Sequence, residues 1–141
     1  MSFDNIIGVA GSALNAQLTR LNATASNLAN AGTVSGTEAE AFRAKRPVFK
    51  AVLDEQMTQT NQTSSGGVRI ERLIDDPAPP RMVFQPSSPL ANKDGYVYQS
   101  NVSEVTEMVE MMAAARSYQN NVEVINTARQ LLSRTLDITK A

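Results

Sequence analysis

The chain has 141 residues, a formal net charge of −1, and neither cysteine nor histidine. The absence of both residue types excludes a disulfide framework, the usual zinc ligand sets and the Cys/His and Ser/His nucleophile pairs. The near-neutral charge and the scattered basic residues exclude the electrostatic footprint of a protein that binds nucleic acid or an anionic membrane.

The first predicted element is an amphipathic helix from Phe3 to about Asn30. It is intrinsically weak, because its glycines and asparagines each cost up to about 1 kcal/mol relative to alanine. Asp4 and Arg20 are its only ionisable side chains, whereas a free surface helix normally has a charged face. We therefore expect this segment to become ordered only when it is packed among neighbours. Its apolar positions recur with coiled-coil spacing, at Ile7, Leu14, Leu21 and Leu28, with Gly11, Leu18 and Ala25 interleaved.

Neither a secretory signal peptide nor a membrane-spanning segment is predicted. The N-terminus lacks a basic region, and polar residues break its apolar run. No stretch approaches the roughly 18 apolar residues that a transmembrane helix needs. If the protein leaves the cytoplasm, we expect it to use another route.

The first half of the middle segment gives weak signals. Residues 46–53 alternate loosely and could form either a strand or a short helix. Residues 57–67 are rich in Thr, Gln, Asn, Ser and Gly, a composition that is typical of a flexible loop.

Strand signals become clearer after residue 67. Residues 68–73 alternate in the manner of a half-buried strand, and residues 81–84 could be its partner across a proline-rich connection. Asp94-Gly95 predicts a tight turn before a short strand at residues 96–98.

A second long amphipathic helix is predicted from Asn101 to about Asp137. Asn101 can cap this helix, because Glu104 can reach back to it in a capping-box pair. The helix would be roughly 50 Å long at about 1.5 Å per residue, which is more than a small domain covers with its own body. Its apolar residues follow two heptad registers, one with Met108, Ala115, Val122 and Leu136 and the other with Met111, Tyr118, Ile125 and Leu132. The apolar stripe is wider in the N-terminal half of the helix, where it also includes Val105, Val109 and Met112.

One adjacent carboxylate pair, Asp75-Asp76, could in principle bind a metal or catalyse proton transfer together with Glu71. Adjacent side chains point in different directions, however, and Asp before Pro is common in turns. We therefore interpret the pair as part of a turn and expect no catalytic, cofactor-binding or metal-binding residue.

Several motifs resemble those of the flagellar rod, hook and hook-associated axial proteins. The sequence LNATASNLANA at residues 21–31 resembles the N-terminal signature of that family. In many axial proteins a Thr-Pro-Gly turn follows this signature. In this chain Thr33-Val34-Ser35-Gly36 and a longer acidic stretch take its place. Proximal-rod members of the family carry such an extended loop. Other motifs narrow the resemblance to those members over nearly the whole chain: PLA at 89–91, DGYV at 94–97, NV at 101–102, EMV at 107–109, RSYQNNVEV at 116–124, NTA at 126–128 and Leu136.

The resemblance implies an α+β fold with two parts. The terminal helices, at residues 1–31 and 101–141, would form a coiled-coil-like inner assembly domain. Residues 32–100 would form a small, mostly β outer domain with flexible loops.

The resemblance also implies a structural role without enzyme activity. The chain would be a subunit of the proximal rod of the bacterial flagellar basal body, spanning the periplasm. It would stack helically with other rod subunits and copies of itself and transmit torque. It would be exported by the flagellar type III apparatus without signal cleavage. No cofactor, nucleic acid, small-molecule substrate or membrane insertion is implied.

The candidate assembly residues come from the N-terminal signature and from the heptad-spaced apolar residues of the two helices, which we call the seam of each helix. We also expect the terminal helices to pair within one subunit, although a seam identifies a face and not its partner. The candidates are Ile7, Leu14, Leu18, Leu21, Asn27, Leu28, Asn30, Met108, Met111, Met112, Tyr118, Val122, Ile125, Leu132 and Leu136.

Two other classes of protein stay open from the sequence. A soluble coiled-coil adaptor or secretion chaperone would share the seams, but it would not need an N-terminal helix so poor in charge. A small enzyme using carboxylates would have to lose activity when Asp75 or Asp76 is changed.

Overall fold

The computed structural model describes residues 3–52 and 66–140. A long helix lies at each end of the chain, α1 (Phe3–Ala29) and α2 (Glu104–Lys140). The predicted α+β class, with terminal helices and a sheet region between them, is confirmed. Residues 57–65 of the loop predicted at residues 57–67 lie outside the described residues. Between the helices, the described residues form five strands: β1 (Val34–Ser35), β2 (Lys45–Val52), β3 (Gly67–Asp75), β4 (Arg81–Phe84) and β5 (Tyr96–Gln99).

Strands β1, β5 and β4 form an antiparallel sheet in that order, with Met82 opposite Tyr98 and Phe84 opposite Tyr96. The predicted pairing of the strand at 68–73 with the strand at 81–84 is therefore wrong. The prolines between these strands have a fixed φ and no N–H donor, so this connection cannot extend a ladder of backbone hydrogen bonds between them.

The turn predicted at Asp94-Gly95 is present and brings β5 beside β4. Gly95 has a φ of 81°, in the left-handed region that favours glycine. The Asn92 side-chain oxygen accepts hydrogen bonds from the backbone N–H of Asp94 at 3.0 Å and of Tyr96 at 2.9 Å. These bonds fix the turn locally, so the short dipeptide was a sufficient signal.

Strands β2 and β3 form a second, two-stranded sheet. The ambiguity at residues 46–53 is resolved as a strand, with Leu53 outside the described residues. Ion pairs join Lys45 to Asp75 and Lys50 to Glu71. Residue numbers rise along one strand as they fall along the other, so the two strands are antiparallel.

The chain divides into two compact units, and each contains part of both helices. The first comprises Met1–Thr19, Val48–Arg72 and Ala113–Ala141, and the second comprises Arg20–Pro47 and Leu73–Met112. Alanine supplies most of the buried apolar residues that the structure describes, and small side chains let backbones approach closely. These residues are Ala10, Ala16, Ala23, Ala31, Ala41, Ala44, Val97, Val102, Ala114 and Ala128.

Candidate assembly surface

A buried polar cluster holds the start of α2 in the second unit. The Glu107 side chain is only 1% exposed. One of its oxygens accepts a hydrogen bond from Asn27 Nδ2 at 2.9 Å, and the other accepts from Arg46 Nη1 at 2.7 Å. Both carboxylate oxygens are therefore satisfied, which offsets part of the cost of burying the charge.

Asn27 extends this cluster from α1 to β2. Its side-chain oxygen accepts from the backbone N–H of Lys45 at 2.7 Å, and its Nδ2 donates to the Lys45 carbonyl at 3.0 Å. A carboxamide is the side chain that can both donate and accept here, so it imitates a neighbouring strand. Asn27 thus ties α1 to both β2 and α2.

A second contact between the helices lies nearby in the same unit, where Arg20 forms an ion pair with Glu110. Asn27 contacts Glu107, and Arg20, which lies earlier on α1, contacts Glu110, which lies later on α2. The two helices are therefore antiparallel in this unit, and the expected pairing of the terminal helices within one chain is present there.

Asn101 does not cap α2 as predicted, because the helix begins at Glu104. The Asn101 side chain instead accepts from the backbone N–H of Ala44 at 2.8 Å and donates to the carbonyl of Ala78 at 2.7 Å. These contacts use both ends of its amide. Ser103 precedes the first helical residue, and its hydroxyl oxygen accepts from the Thr106 hydroxyl at 3.1 Å.

The adjacent carboxylates serve the fold. Asp75 pairs with Lys45, and the Asp76 carboxylate lies 3.4 Å from Arg46 Nε. Asp76 also accepts from the backbone N–H of Ala78 at 3.0 Å, which is the turn role that the sequence indicated.

The candidate residues on α1 are mostly half-buried. Asn27 is buried within the polar cluster, whereas Leu18 is exposed. The remaining apolar candidates leave part of their surface uncovered, so the chain alone does not bury the predicted seam. The half-buried candidates are Ile7, Leu14, Leu21 and Leu28 on α1, and Asn30 directly after it.

The candidate residues on α2 fall into two groups. Met111, Tyr118, Val122 and Ile125 are half-buried. The other group is exposed and consists of Met108, Met112, Leu132 and Leu136. The structure thus places the candidates along the helices, while their role in assembly stays a prediction.

Sequence reasoning missed an open groove in the first unit, between the start of α1 and the later turns of α2. The groove has a volume of about 480 Å³. Its α2 side includes Val124 and Leu131, which continue to Ile138 at intervals of seven residues, and this spacing was a usable signal. The lining residues are Phe3, Ile6, Asn120, Glu123, Val124, Thr127, Ala128 and Leu131.

Two other kinds of site are absent from the part of the chain that the structure describes. No cluster of three or more acidic, histidine or cysteine side chains that could hold a metal ion occurs among them. No helix within those residues has the length and apolar character needed to cross a membrane.

Comparison with known proteins places the chain in a family. The family profile described as "Flagella basal body rod protein" matches residues 7–35, and that described as "Flagellar basal body rod FlgEFG protein C-terminal" matches residues 93–138. The former match covers most of α1, and the latter covers β5 and nearly all of α2. Both matches are to proteins of the flagellar basal-body rod.

Full-length relatives narrow the family further. The chain is 50% identical to the flagellar basal-body rod protein FlgC of Yersinia enterocolitica, with 98% of each chain covered. It is 30% identical to the protein of that name from Bacillus subtilis, with 95% of this chain and 96% of the relative covered. The chain therefore belongs to the FlgC family of flagellar basal-body rod proteins, as its motifs indicated.

Proposed function

We propose that this chain is a structural subunit of the proximal rod, where it stacks helically with other rod subunits and copies of itself to transmit torque. The observation that carries the proposal is the apolar surface left exposed on long terminal helices in a chain that matches rod proteins over nearly its full length. Large exposed apolar patches are typical of protein interaction sites. The relatives are rod proteins, which favours this role over an adaptor, a chaperone or an enzyme.

The proposal includes a route and a location. The rod subunit would reach the periplasmic part of the basal body through the flagellar type III apparatus, without signal cleavage. A weakly helical N-terminal segment suits passage through a narrow export channel, because low helix propensity keeps the unfolded chain accessible.

The proposal also divides the chain by role. Residues 1–31 and 101–141 would form the inner assembly domain, and residues 32–100 the outer, mostly β domain. The partly exposed seam supports this division, because seam residues that the chain leaves uncovered remain available to neighbouring subunits. The assembly residues predicted from the sequence keep that role in the proposal.

Replacement of the chain in its flagellated host tests the proposal. Leu21 is half-buried on α1, and Leu21→Asp would place a charge in the seam, where burial without a partner is costly. We expect the unchanged chain to support rods and swimming. The Leu21→Asp chain should accumulate in cells, folded by circular dichroism, yet be absent from isolated basal bodies.

Lys93→Asp is the matched control, because Lys93 is exposed in the middle of the chain. It should still enter basal bodies. Normal rods and swimming in cells that lack the chain altogether would contradict the proposal.

A further inference from the structure

Asn27 is enclosed by its own chain. It is only 1% exposed, and both ends of its side-chain amide form hydrogen bonds within the second unit. The oxygen accepts from the backbone N–H of Lys45, and Nδ2 donates to the Lys45 carbonyl and to Glu107. The sequence marked Asn27 as an assembly residue, yet almost none of its surface is left for another subunit to contact.

The start of β2 depends on side chains from outside its own sheet. In a two-stranded sheet, each strand has one edge without a ladder partner. Lys45 directs both of its backbone groups to Asn27, which supplies the missing partner at that edge. The preceding residue, Ala44, is fully buried and donates its N–H to Asn101 at 2.8 Å. Withdrawal of Asn27 would therefore leave a part-buried N–H and carbonyl without partners, which is costly.

The start of α2 depends on the same asparagine. The buried Glu107 carboxylate has two partners, Asn27 on α1 and Arg46 on β2. Arg46 directly follows Lys45, so Asn27 completes the backbone of β2 and the buried charge of α2 at one place. A buried polar network that is only partly satisfied is less favourable than one that is complete. Loss of Asn27 from its position would thus disturb both elements together.

We infer that Asn27 is a positioning residue, which makes the ordering of the end of α1, the start of β2 and the start of α2 one cooperative step. Each of the three elements reaches full hydrogen bonding only when the other two are in place. Asn27 serves assembly from inside its own chain and does not touch a neighbouring subunit. Its effect on assembly rests on the proposed rod function, whereas its effect on the chain rests on the polar cluster alone.

An exchange of donor and acceptor between two side chains tests the inference. Asn27→Asp keeps the size of the side chain, but it replaces the Nδ2 donor with an acceptor that faces the Glu107 carboxylate. Glu107→Gln in the same chain restores a donor opposite that acceptor and keeps one negative charge near Arg46. The bond to the Lys45 carbonyl is not restored, so the recovery should be partial.

The readout is the amount of chain in isolated basal bodies, relative to the amount of the same chain in the cells. Asn27→Asp should lower this ratio at least about tenfold, because two carboxylates would then share one buried site. The double variant should give a ratio at least about threefold higher than Asn27→Asp, because contacting residues are energetically coupled. A double variant no better than Asn27→Asp, or unchanged incorporation of Asn27→Asp itself, would overturn the inference.

Asn22→Asp is the matched control, because Asn22 is an exposed asparagine on the same helix. Addition of Glu107→Gln should improve the Asn27→Asp chain but not the Asn22→Asp chain. Equal improvement of both chains would show that Glu107→Gln acts without residue 27, and it would overturn the inference. Absence of the unchanged chain from basal bodies would instead defeat the proposed function.

Amide hydrogen exchange tests the coupling without any substitution, in the purified chain and in basal bodies. The Lys45 amide has the Asn27 side-chain oxygen as its acceptor. Its protection should therefore stay within about threefold of that of residues 20–28 in each sample, because elements that open together exchange together. A Lys45 amide that stays protected while residues 20–28 exchange freely, or the reverse, would overturn the inference. The purified chain gives this result even if the proposed function fails.

Discussion

Glu107 is the largest side chain that is fully buried within the described residues, although it carries a carboxylate. Its hydrogen bonds to Asn27 and Arg46 join α2 to α1 and β2. A buried charge is tolerated when its partners satisfy it, and loss of one partner leaves the others unpaired. This cluster therefore fixes how these three elements meet in the second unit.

Glu107→Ala should lower the free energy of unfolding by about 1–3 kcal/mol, because the buried Asn27 amide loses an acceptor while the partly exposed Arg46 can still reach water. Chemical denaturation of the purified chain measures this loss. Glu123→Ala, at an exposed position later on α2, should change the free energy by about 0.5 kcal/mol or less. Equal losses for the two variants would show that the cluster contributes no more than a surface carboxylate.

Asn27 and Glu107 lie within motifs that the sequence alone brings to attention, but their contact could not be predicted. They are 80 residues apart, and nothing local in either helix specifies the other. Asn101 shows the same limit, because a good local capping pattern was overridden by its tertiary contacts with Ala44 and Ala78. Local signals identify candidate residues, whereas tertiary packing selects their partners.

At the scale of elements, periodicity predicted the two helices and the strands at β3 and β5. The pairing of β3 was mispredicted, because sequence adjacency favoured β4 whereas the structure pairs β3 with β2. Heptad spacing also pointed to leucines, while the buried apolar residues of α1 are Ala10, Ala16 and Ala23. Spacing records which positions share a face but not how closely that face approaches its neighbour.

The turn between β4 and β5 depends on Gly95. Gly95→Ala should destabilise the fold by about 1–2 kcal/mol, because an alanine Cβ is strained at positive φ. The added Cβ would also lie 2.8 Å from the exposed Phe84 ring, which would have to move. Thermal or chemical unfolding measures the effect. Gly32→Ala, where an added Cβ meets none of the described residues within 4 Å, should be close to neutral, and a similar loss there would contradict the assignment.

The glycines of α1 separate stability from assembly. Gly11→Ala should stabilise the isolated helix by about 0.5–1 kcal/mol, because alanine loses less backbone entropy and its Cβ would meet none of the described residues within 4 Å. The same methyl should reduce incorporation into basal bodies if this side of α1 packs closely against a neighbouring subunit. Helicity by circular dichroism and the amount of chain in basal bodies give the two readouts.

Val9→Ala is the control for this prediction, because Val9 is exposed on α1 and, two residues from Gly11, does not share its side of the helix. Alanine there should also raise helicity, since valine has a lower helix propensity. Incorporation should be unchanged. An equal effect of Val9→Ala and Gly11→Ala on incorporation would contradict a close contact specific to the Gly11 side of α1.

At the scale of the whole molecule, the described residues leave uncovered part of the apolar surface that the two helices carry. The candidates Leu18, Met108 and Met112 remain exposed, and burial of such side chains would stabilise an assembly by about 1.5–3 kcal/mol each. The sequence could predict these faces because their periodicity is local. It could not predict which neighbour covers them, because that depends on surfaces of other subunits.

Amide hydrogen exchange, compared between the purified monomer and isolated basal bodies, tests most directly whether the terminal helices are the assembly elements. Assembly should slow exchange at residues 7–28 and 105–112 at least about tenfold, because ordering and burial suppress local opening. Exchange in β4 and β5 should change little. Strong protection of residues 7–28 already present in a verified monomer, with no further gain in basal bodies, would contradict the account.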